Sequence, residues 1–317
     1  MLTEPNIDKD LIKKKIKDNY DLDVTSLTHV PAGEASWCYK VQTEKETYFL
    51  KIYVSLESHE ARFNLTYNLF NNCSIKNITH PLKNKYGELV FDIANHYAAL
   101  FNYIDGKNAS EKELNDKEKF ALGKLLGEIH KSSNLVPSFN LKEDFEYKNI
   151  NRLLKNIKSS IALSKTETGH KKQTANLLLE HRDKILDRIK DLKTLGEELR
   201  NENLDFVICH GEPHIWNTML NKEGEIFLID WDDSLLAPKE KDLNMIKDDP
   251  KKLEGYKSAT GDIDINPKII KYYNLEWNIS EIDAWSDQIL NTNFNEKQSQ
   301  HDLEFLEEVL RELDVKY

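Results

Sequence analysis

The side chains that could carry out chemistry concentrate around the sequence HGEPHIWN, residues 210–217. A short apolar run precedes this loop, and a second apolar run at 226–229 ends at Asp230. The polar stretch NKEG at 221–224 predicts a turn, so the pattern as a whole predicts a β-hairpin. Such a hairpin would bring Asn217, at the start of its first strand, beside Asp230, at the end of its second.

Asn217 and Asp230 together offer a neutral oxygen and a carboxylate, which are hard ligands that suit Mg²⁺ held against a phosphate chain. Glu212 lies five residues before Asn217, where its carboxylate could accept a proton from a substrate hydroxyl. Taken singly, Asn and Asp near turns are usually turn formers. His210 and His214 have the spacing of a zinc pair, but the proline between them is incompatible with the helix that this pattern requires.

The whole pattern, HGEPHIWN followed by IDWDDSLLAPKEKDL at 229–243, resembles the aminoglycoside phosphotransferase family, which includes relatives of choline kinase. The continuation after Asp230 and the N-terminal MLTEP are most similar to the spectinomycin phosphotransferase branch. The resemblance implies an α+β, bilobal, protein-kinase-like fold. A small mixed β-sheet N-lobe with one helix would occupy residues 1–103. A larger, mostly helical C-lobe at 104–317 would carry the catalytic loop and the hairpin.

The same resemblance implies roles for the loop residues. Asn217 and Asp230 would ligate Mg²⁺, while His210 and Asp242 would brace the loop. Glu212 stands where the family usually has its catalytic aspartate. Both carboxylic acids have similar unperturbed pKa values, but glutamate is longer by one methylene, and catalysis by positioning is sensitive to shifts of about 1 Å. We expect a working variant, with a kinase-like binder without turnover as the alternative.

In the N-lobe, the turn PAGEASW, with Gly33 and Ser36, is expected to lie over the phosphates of the nucleotide. Lys51, inside the apolar strand YFLKIY, is expected to bind the α- and β-phosphates. Glu60 on the next helix is expected to hold this lysine, and Glu57 is the competing choice. The alternative for Lys51 is a solubilising residue of an edge strand.

Further contacts are expected with the base and with the acceptor. Backbone groups near Phe101 and Tyr103 would bind the purine of ATP or GTP. The segment EWNISEIDAWSDQ at 276–288 sets carboxylates beside two tryptophans, which could hold a cationic ring; an ordinary amphipathic helix is the alternative. The candidate acceptor contacts are Asp232, Asp233, Glu276 and Asp283.

Hydrophobic periodicity predicts the elements that position these residues. A helix is expected at 8–19, strands over 24–54, and a helix with Ala61, Leu65 and Leu69 on one face. More strand follows to about residue 105. Beyond it, apolar residues at i, i+3, i+4 and i+7 predict helices, interrupted only by the segment that contains the hairpin.

The composition, with 39% hydrophobic and 31% charged residues among 317, is that of a folded globular protein. A net charge of −11 argues against nucleic-acid binding and leaves room for a cationic acceptor. No apolar run approaches the roughly 20 residues of a membrane span, and no signal core is evident. Three scattered cysteines predict a reducing cytoplasm. The oligomeric state is open between a monomer and a homodimer.

The predicted function is therefore transfer of the γ-phosphoryl group of ATP or GTP, with Mg²⁺, to a hydroxyl of a small amine-bearing or polyhydroxylated molecule. The favoured acceptor is an aminoglycoside or an aminocyclitol such as spectinomycin, which would mean antibiotic resistance. A metabolic kinase of the choline, homoserine or sugar type is an alternative, and so is a nucleotide-binding protein with little turnover. Protein kinases are disfavoured because the sequence contains neither a DFG nor an APE motif.

Overall fold

A five-stranded antiparallel sheet forms the N-terminal region of the chain in the computed structural model, which describes residues 4–31, 36–53, 59–292 and 296–313. The strands are β1 (Val24–Val30), β2 (Ser36–Thr43), β3 (Thr47–Tyr53), β4 (Phe91–Ile93) and β5 (His96–Asn102). Their order across the sheet is β1-β2-β3-β5-β4. The register sets Lys51 of β3 opposite Cys38 on one side and Ala99 on the other, so these three side chains share one face.

The helix α1 (Lys9–Tyr20) packs on the other face of this sheet. Its Ile12 and Ile16 are fully buried in one cluster with Val41 and Leu50. Full burial of an isoleucine contributes about 1.5 to 3 kcal/mol relative to exposure. The helix α2 (His59–Asn72) places Phe63 in a second cluster, with Ala99 of the face that carries Lys51. The sheet therefore has one face for structural packing and one for Lys51 and α2.

The predicted hairpin is confirmed. It consists of β8 (Thr218–Asn221) and β9 (Ile226–Leu228), and β6 (Gly106–Asn108) extends it to three strands. Beside it, β7 (Val207–Cys209) pairs with β10 (Leu235–Ala237). The two pairs place the loop 210–217 and the segment 229–234 at the ends of short strands. Both segments are thereby held by backbone pairing on each side.

Three helices belong to the same part of the chain: α3 (Asp116–Lys131), α7 (Glu240–Leu243) and α8 (Pro250–Thr260). A capping box between Asn115 and Glu118 begins α3. Close contact of α3 with α8 depends on glycine, since a Cβ on Gly123 would lie 1.8 Å from the carbonyl oxygen of Lys252. Any side chain at Gly123 would push the two helices apart.

The chain divides into two compact units. The first comprises Met1–Lys142 and Phe206–Asp264, and the second comprises Glu143–Asp205 and Ile265–Tyr317. The second unit consists of five helices in the described residues. They are α4 (Ile150–Thr166), α5 (Gly169–Glu180), α6 (Arg182–Arg200), α9 (Pro267–Asn291) and α10 (Glu296–Glu312).

The predicted fold class, a β-sheet N-terminal region followed by a mostly helical C-terminal region, is confirmed. The boundary expected at residue 103 stays a prediction. None of the helices in the described ranges combines the length and the apolar character needed to cross a bilayer.

Candidate active site

The loop that follows β7 is fixed by one buried carboxylate. Asp242 of α7 is fully buried and accepts the backbone N–H of His210 at 2.9 Å and that of Gly211 at 2.8 Å. Gly211 has φ +98, and a Cβ there would lie 2.5 Å from the carbonyl oxygen of Asp233, so the tight turn requires glycine. The start of the loop is therefore held by two charge-assisted hydrogen bonds.

Asp242 has a third partner that the sequence did not reveal. His130 of α3, also buried, contacts the carboxylate through Nε2 at 3.0 Å, and Nδ1 of the same ring contacts the Tyr256 hydroxyl at 2.9 Å. Burial by itself raises the pKa of Asp242, but the hydrogen bond from His130 and the amide of Gly211 outweigh it, and the net effect lowers the pKa. The carboxylate therefore stays ionised and acts only as an acceptor.

The imidazole of His210 links the loop to the segment that follows β9. Burial lowers the pKa of His210, so the ring is neutral near pH 7. Its Nε2 lies 3.0 Å from the carbonyl oxygen of Ile229, and the Glu212 amide donates to its Nδ1 at 3.3 Å. Both contacts fit a neutral ring with its proton on Nε2.

Asn217 lies beside Ile229, the residue before Asp230, as the hairpin requires. The Ile229 amide donates to the Asn217 carbonyl at 2.9 Å, and the Asn217 side-chain amide donates to the Glu212 carbonyl at 3.0 Å. Asp230 has φ +59, a left-handed conformation that aspartate adopts more readily than most residues. The structure thus brings together the backbone of Glu212, the side chain of Asn217 and the start of the Asp230 segment.

Lys51 of β3 forms ion pairs with the same segment. Its Nζ lies 3.1 Å from Asp230 Oδ1 and 3.8 Å from Asp232 Oδ2, and its side chain is 17% exposed. Burial opposes the charge of Lys51, but Tyr53 and the two aspartates outweigh it and raise the pKa of the ammonium group. A positive charge is therefore fixed next to the carboxylate proposed as a metal ligand.

The expected partner of Lys51 is not the one observed. Glu60 lies exposed in the first turn of α2, and it forms no ion pair with Lys51 among the described residues. The α2 helix instead contacts the segment after Asp230. His59 Nδ1 lies 3.4 Å from Asp232 Oδ1, and Arg62 Nε donates to the Ser234 carbonyl at 3.2 Å. The basic side chains of α2, rather than Glu60, face the site.

Gly33, expected over the phosphates, and Glu57, the competing partner of Lys51, lie outside the described residues. Ser36 begins β2 and is buried, with its Oγ 3.6 Å from the sulfur of Cys38. Because Cys38 is paired with Lys51 across the strands, Ser36 starts the strand that lies beside the lysine.

The carboxyl groups of Asp232 and Asp233 have different pKa values although the two residues are adjacent. Burial raises the pKa of Asp232, but Lys51 and His59 outweigh this and bring it down to about 2. Desolvation and the charge of Glu212 raise the pKa of Asp233 to about 6, although the residue stays exposed and water screens part of the effect. Asp232 is therefore a fixed negative charge that balances Lys51, whereas Asp233 is open to a ligand.

The Glu212 carboxylate is half-buried, and its side chain is 38% exposed. The neighbouring His214, whose Nε2 lies 3.6 Å from Oε2, is the largest influence on its pKa and lowers it, in spite of burial. An ionised carboxylate at a solvent-accessible position can accept a proton from a hydroxyl. The next two residues, Ile215 and Trp216, are exposed apolar side chains on the same loop.

Near the site expected for the purine of the nucleotide, Phe101 is buried in β5 and paired with Phe49 of β3. Tyr103 follows the end of the strand, and the ammonium of Lys40 lies 4.7 Å from the centre of its ring. An open cavity of about 650 Å³ borders this region and is lined partly by Lys40, Asn102 and Tyr103. The geometry leaves Tyr103, rather than Phe101, beside open space.

The contacts of Asp283 within the second unit contradict the expectation that its carboxylate binds an acceptor. Asp283 is fully buried in α9; its carboxylate accepts from Arg152 Nη2 at 2.7 Å, from Arg152 Nε at 3.1 Å and from the Tyr147 hydroxyl at 2.6 Å. Both oxygens are thus occupied by protein donors. Glu276, two turns earlier on α9, is half-buried. Around Asp283, α9 therefore packs as an ordinary amphipathic helix, which was the alternative interpretation.

Comparison with known proteins finds one family match and a set of similar folds. The model of the phosphotransferase enzyme family matches residues 27–259, which include Lys51, the loop 210–217 and Asp230. No curated protein matches the chain in sequence.

Solved structures resemble the whole chain. A spectinomycin phosphotransferase in complex with ADP and spectinomycin has a TM-score of 0.82 at 20% identity and covers 98% of both chains. An amicoumacin kinase in complex with AMP-PNP has a TM-score of 0.66 at 15% identity, over 96% of this chain and 94% of that one. A choline kinase from Streptococcus pneumoniae has a TM-score of 0.51 at 16% identity, over 96% and 98%. At these identities the likeness is one of fold.

The predicted family and the predicted enzyme class are both confirmed. The family match spans more than two thirds of the sequence and contains the loop, the strand lysine and the hairpin described above. This chain therefore belongs to the phosphotransferase enzyme family, as an enzyme of the small-molecule kinase type.

Proposed function

We propose that the enzyme transfers the γ-phosphoryl group of ATP to a hydroxyl of a small amine-bearing acceptor, with an aminoglycoside or an aminocyclitol such as spectinomycin favoured. One observation carries the proposal. A half-buried lysine, an amide and two carboxylates lie around the ends of one hairpin in the first unit, in Lys51, Asn217, Asp230 and Glu212. Phosphoryl transfer needs these parts for positioning and for charge stabilisation.

The donor set fits Mg²⁺. The side-chain amide of Asn217 uses its nitrogen to bind Glu212, and its oxygen has no hydrogen-bond partner within the described ranges. The Oδ2 atom of Asp230 is likewise without one, since Lys51 contacts Oδ1. Mg²⁺ commonly takes one or two protein oxygens and completes its shell with phosphate and water. When bound, it would neutralise charge that develops on the phosphates.

In the proposed reaction, the acceptor oxygen forms a bond to the γ-phosphorus while the bond to the β–γ bridging oxygen breaks, which releases ADP. Glu212 orients the acceptor hydroxyl and takes its proton. Lys51 holds the α- and β-phosphates and offsets their negative charge. Asp242 and His210 hold the loop backbone, so Glu212 and Asn217 keep their places during turnover.

An exposed carboxylate and an exposed aromatic side chain support the choice of an amine-bearing acceptor. Asp233 is an exposed carboxylate near Glu212, and an ammonium group would find in it an ionic partner. Trp216 is 65% exposed, and its backbone is fixed by a 2.7 Å hydrogen bond from Asn108. An exposed aromatic face on the loop that carries Glu212 suits a cationic ring system. A spectinomycin phosphotransferase is also among the structures with the same fold.

Coupled ADP release with Mg-ATP tests the proposal. The panel contains spectinomycin, aminoglycosides, choline, amino alcohols, homoserine and sugars. Strong stimulation by an aminocyclitol or aminoglycoside supports the favoured acceptor, whereas stimulation by another compound reassigns the enzyme as a metabolic kinase. Nucleotide binding without transfer to any hydroxyl would reject catalysis. Asp230→Asn should abolish turnover, while Asp248→Asn, at an exposed carboxylate, should leave it unchanged.

A further inference from the structure

His214, two residues after Glu212, lies in direct electrostatic contact with its carboxylate. The distance of 3.6 Å between His214 Nε2 and Glu212 Oε2 is longer than a hydrogen bond, and a small rotation of either side chain would close it. Contacts of this kind in ligand-free active sites often shorten when substrate binds. The function described above assigns no role to this imidazole.

The backbone around His214 is firmly held. Its N–H donates to the Glu212 carbonyl at 2.9 Å, across a one-residue turn at Pro213. Its carbonyl accepts the Asn217 amide at 3.0 Å and the Thr218 hydroxyl at 2.9 Å. With the main chain bonded on both sides, the ring is fixed on the same side of the turn as the carboxylate of Glu212.

The other ring nitrogen shows which atom carries the proton. Nδ1 of His214 is buried and has no hydrogen-bond partner in the part of the chain that the structure describes. A proton on Nδ1 would be a buried donor without an acceptor, which is costly, whereas a proton on Nε2 faces the Glu212 carboxylate. The neutral ring therefore carries its proton on Nε2, directed at Glu212.

We propose that His214 is a positioning residue whose Nε2–H holds the Glu212 carboxylate toward the acceptor hydroxyl. Glutamate has three rotatable bonds, and a side chain that is 38% exposed samples several rotamers without such a partner. This inference rests on the proposed function, since it assigns to His214 the orientation of the proposed proton acceptor. A misplacement of about 1 Å at a reacting group can cost about 100-fold in rate.

Three substitutions test the role with the acceptor that the ADP-release panel identifies. His214→Ala should lower kcat by about 10- to 100-fold with little change in KM for ATP. His214→Gln carries an amide N–H at the position of Nε2 and should restore most of kcat. His214→Asn carries it at the position of Nδ1 and should not. Three variants with equal kcat, or a His214→Ala kcat within threefold of wild type, would overturn the proposal.

A second measurement separates this inference from the proposed function. The ¹⁵N signals of the His214 ring, assigned by their loss in His214→Ala, are recorded in wild type, in Glu212→Gln and in the control Asp248→Asn. We expect the signals to move in Glu212→Gln alone. Unchanged signals overturn the pairing even if an acceptor is phosphorylated. A shift without transfer to any acceptor supports the pairing and rejects the proposed function.

Discussion

Asp242 should be the most costly carboxylate to remove from the first unit. It is fully buried and accepts three hydrogen bonds, from the amides of His210 and Gly211 and from the ring of His130. In Asp242→Ala all three donors lose their acceptor inside the protein. The loss is not compensated by water, since Asp242 and His210 have no exposed surface.

The expected magnitude follows from these contacts. A buried donor left without its acceptor typically costs about 1 to 3 kcal/mol, so with three such donors we expect Asp242→Ala to cost about 3 to 5 kcal/mol. Asp242→Asn keeps one oxygen, but its NH₂ group would face the N–H of either His210 or Gly211. Because one donor is then left unpaired, we expect a cost of about 2 to 3 kcal/mol.

Urea unfolding of the purified variants, followed by circular dichroism, measures these costs. Asp248→Asn removes the same charge from a side chain that is 91% exposed, and it should change the free energy of unfolding by less than about 0.5 kcal/mol. Should Asp242→Ala and Asp248→Asn prove equally stable, the buried carboxylate would not hold the loop as described. The assignment of His210 and Asp242 as supports for Glu212 would then be rejected.

Three further predictions concern other charged and apolar groups. The pKa of Asp232 is lowered to about 2 in the folded protein, so its ionised carboxylate contributes about 2 kcal/mol to the free energy of unfolding above pH 4. This contribution is lost as the pH falls toward 2. In urea unfolding, the difference in stability between wild type and Asp232→Asn should therefore shrink between pH 5 and pH 3. Trp216→Ala, at an exposed residue of the loop, should raise KM for the acceptor several-fold and leave the melting temperature unchanged, whereas Tyr86→Ala, at an equally exposed aromatic residue, should leave KM unchanged. Asp283→Ala should lower the free energy of unfolding by about 2 to 3 kcal/mol, because Arg152 loses its buried partner, without a change in KM for the acceptor.

Local sequence was sufficient to predict the hairpin and the loop. Apolar runs on both sides of the turn at 221–224 define the two strands, and the pairing of Thr218 with Leu228 follows from the length of the turn. The adjacency of Asn217 and Ile229 is then a consequence of that register. Contacts of this kind join residues close in sequence, so their types and spacing carry the information.

Partners distant in sequence could not be predicted in the same way. Lys51 and Asp230 are 179 residues apart, and His130 and Asp242 are 112 apart. Nothing in the segment around Glu60 distinguishes a helix that offers a carboxylate to Lys51 from one that offers His59 and Arg62 to the opposite segment. Only the packing of α2 against the sheet decides which side of this helix faces Asp232 and Ser234.

The error at Asp283 has a different physical origin. The spacing of polar residues along a helix indicates a binding face only when one side of the helix is exposed to solvent and the other is buried. In α9, buried residues lie around most of the circumference, so an inward carboxylate looks the same in the sequence as an outward one. What distinguishes Asp283 is Arg152 on another helix, which makes burial of its charge tolerable. Carboxylates beside tryptophans therefore indicate an acceptor site only when no arginine elsewhere in the same unit is placed to neutralise them.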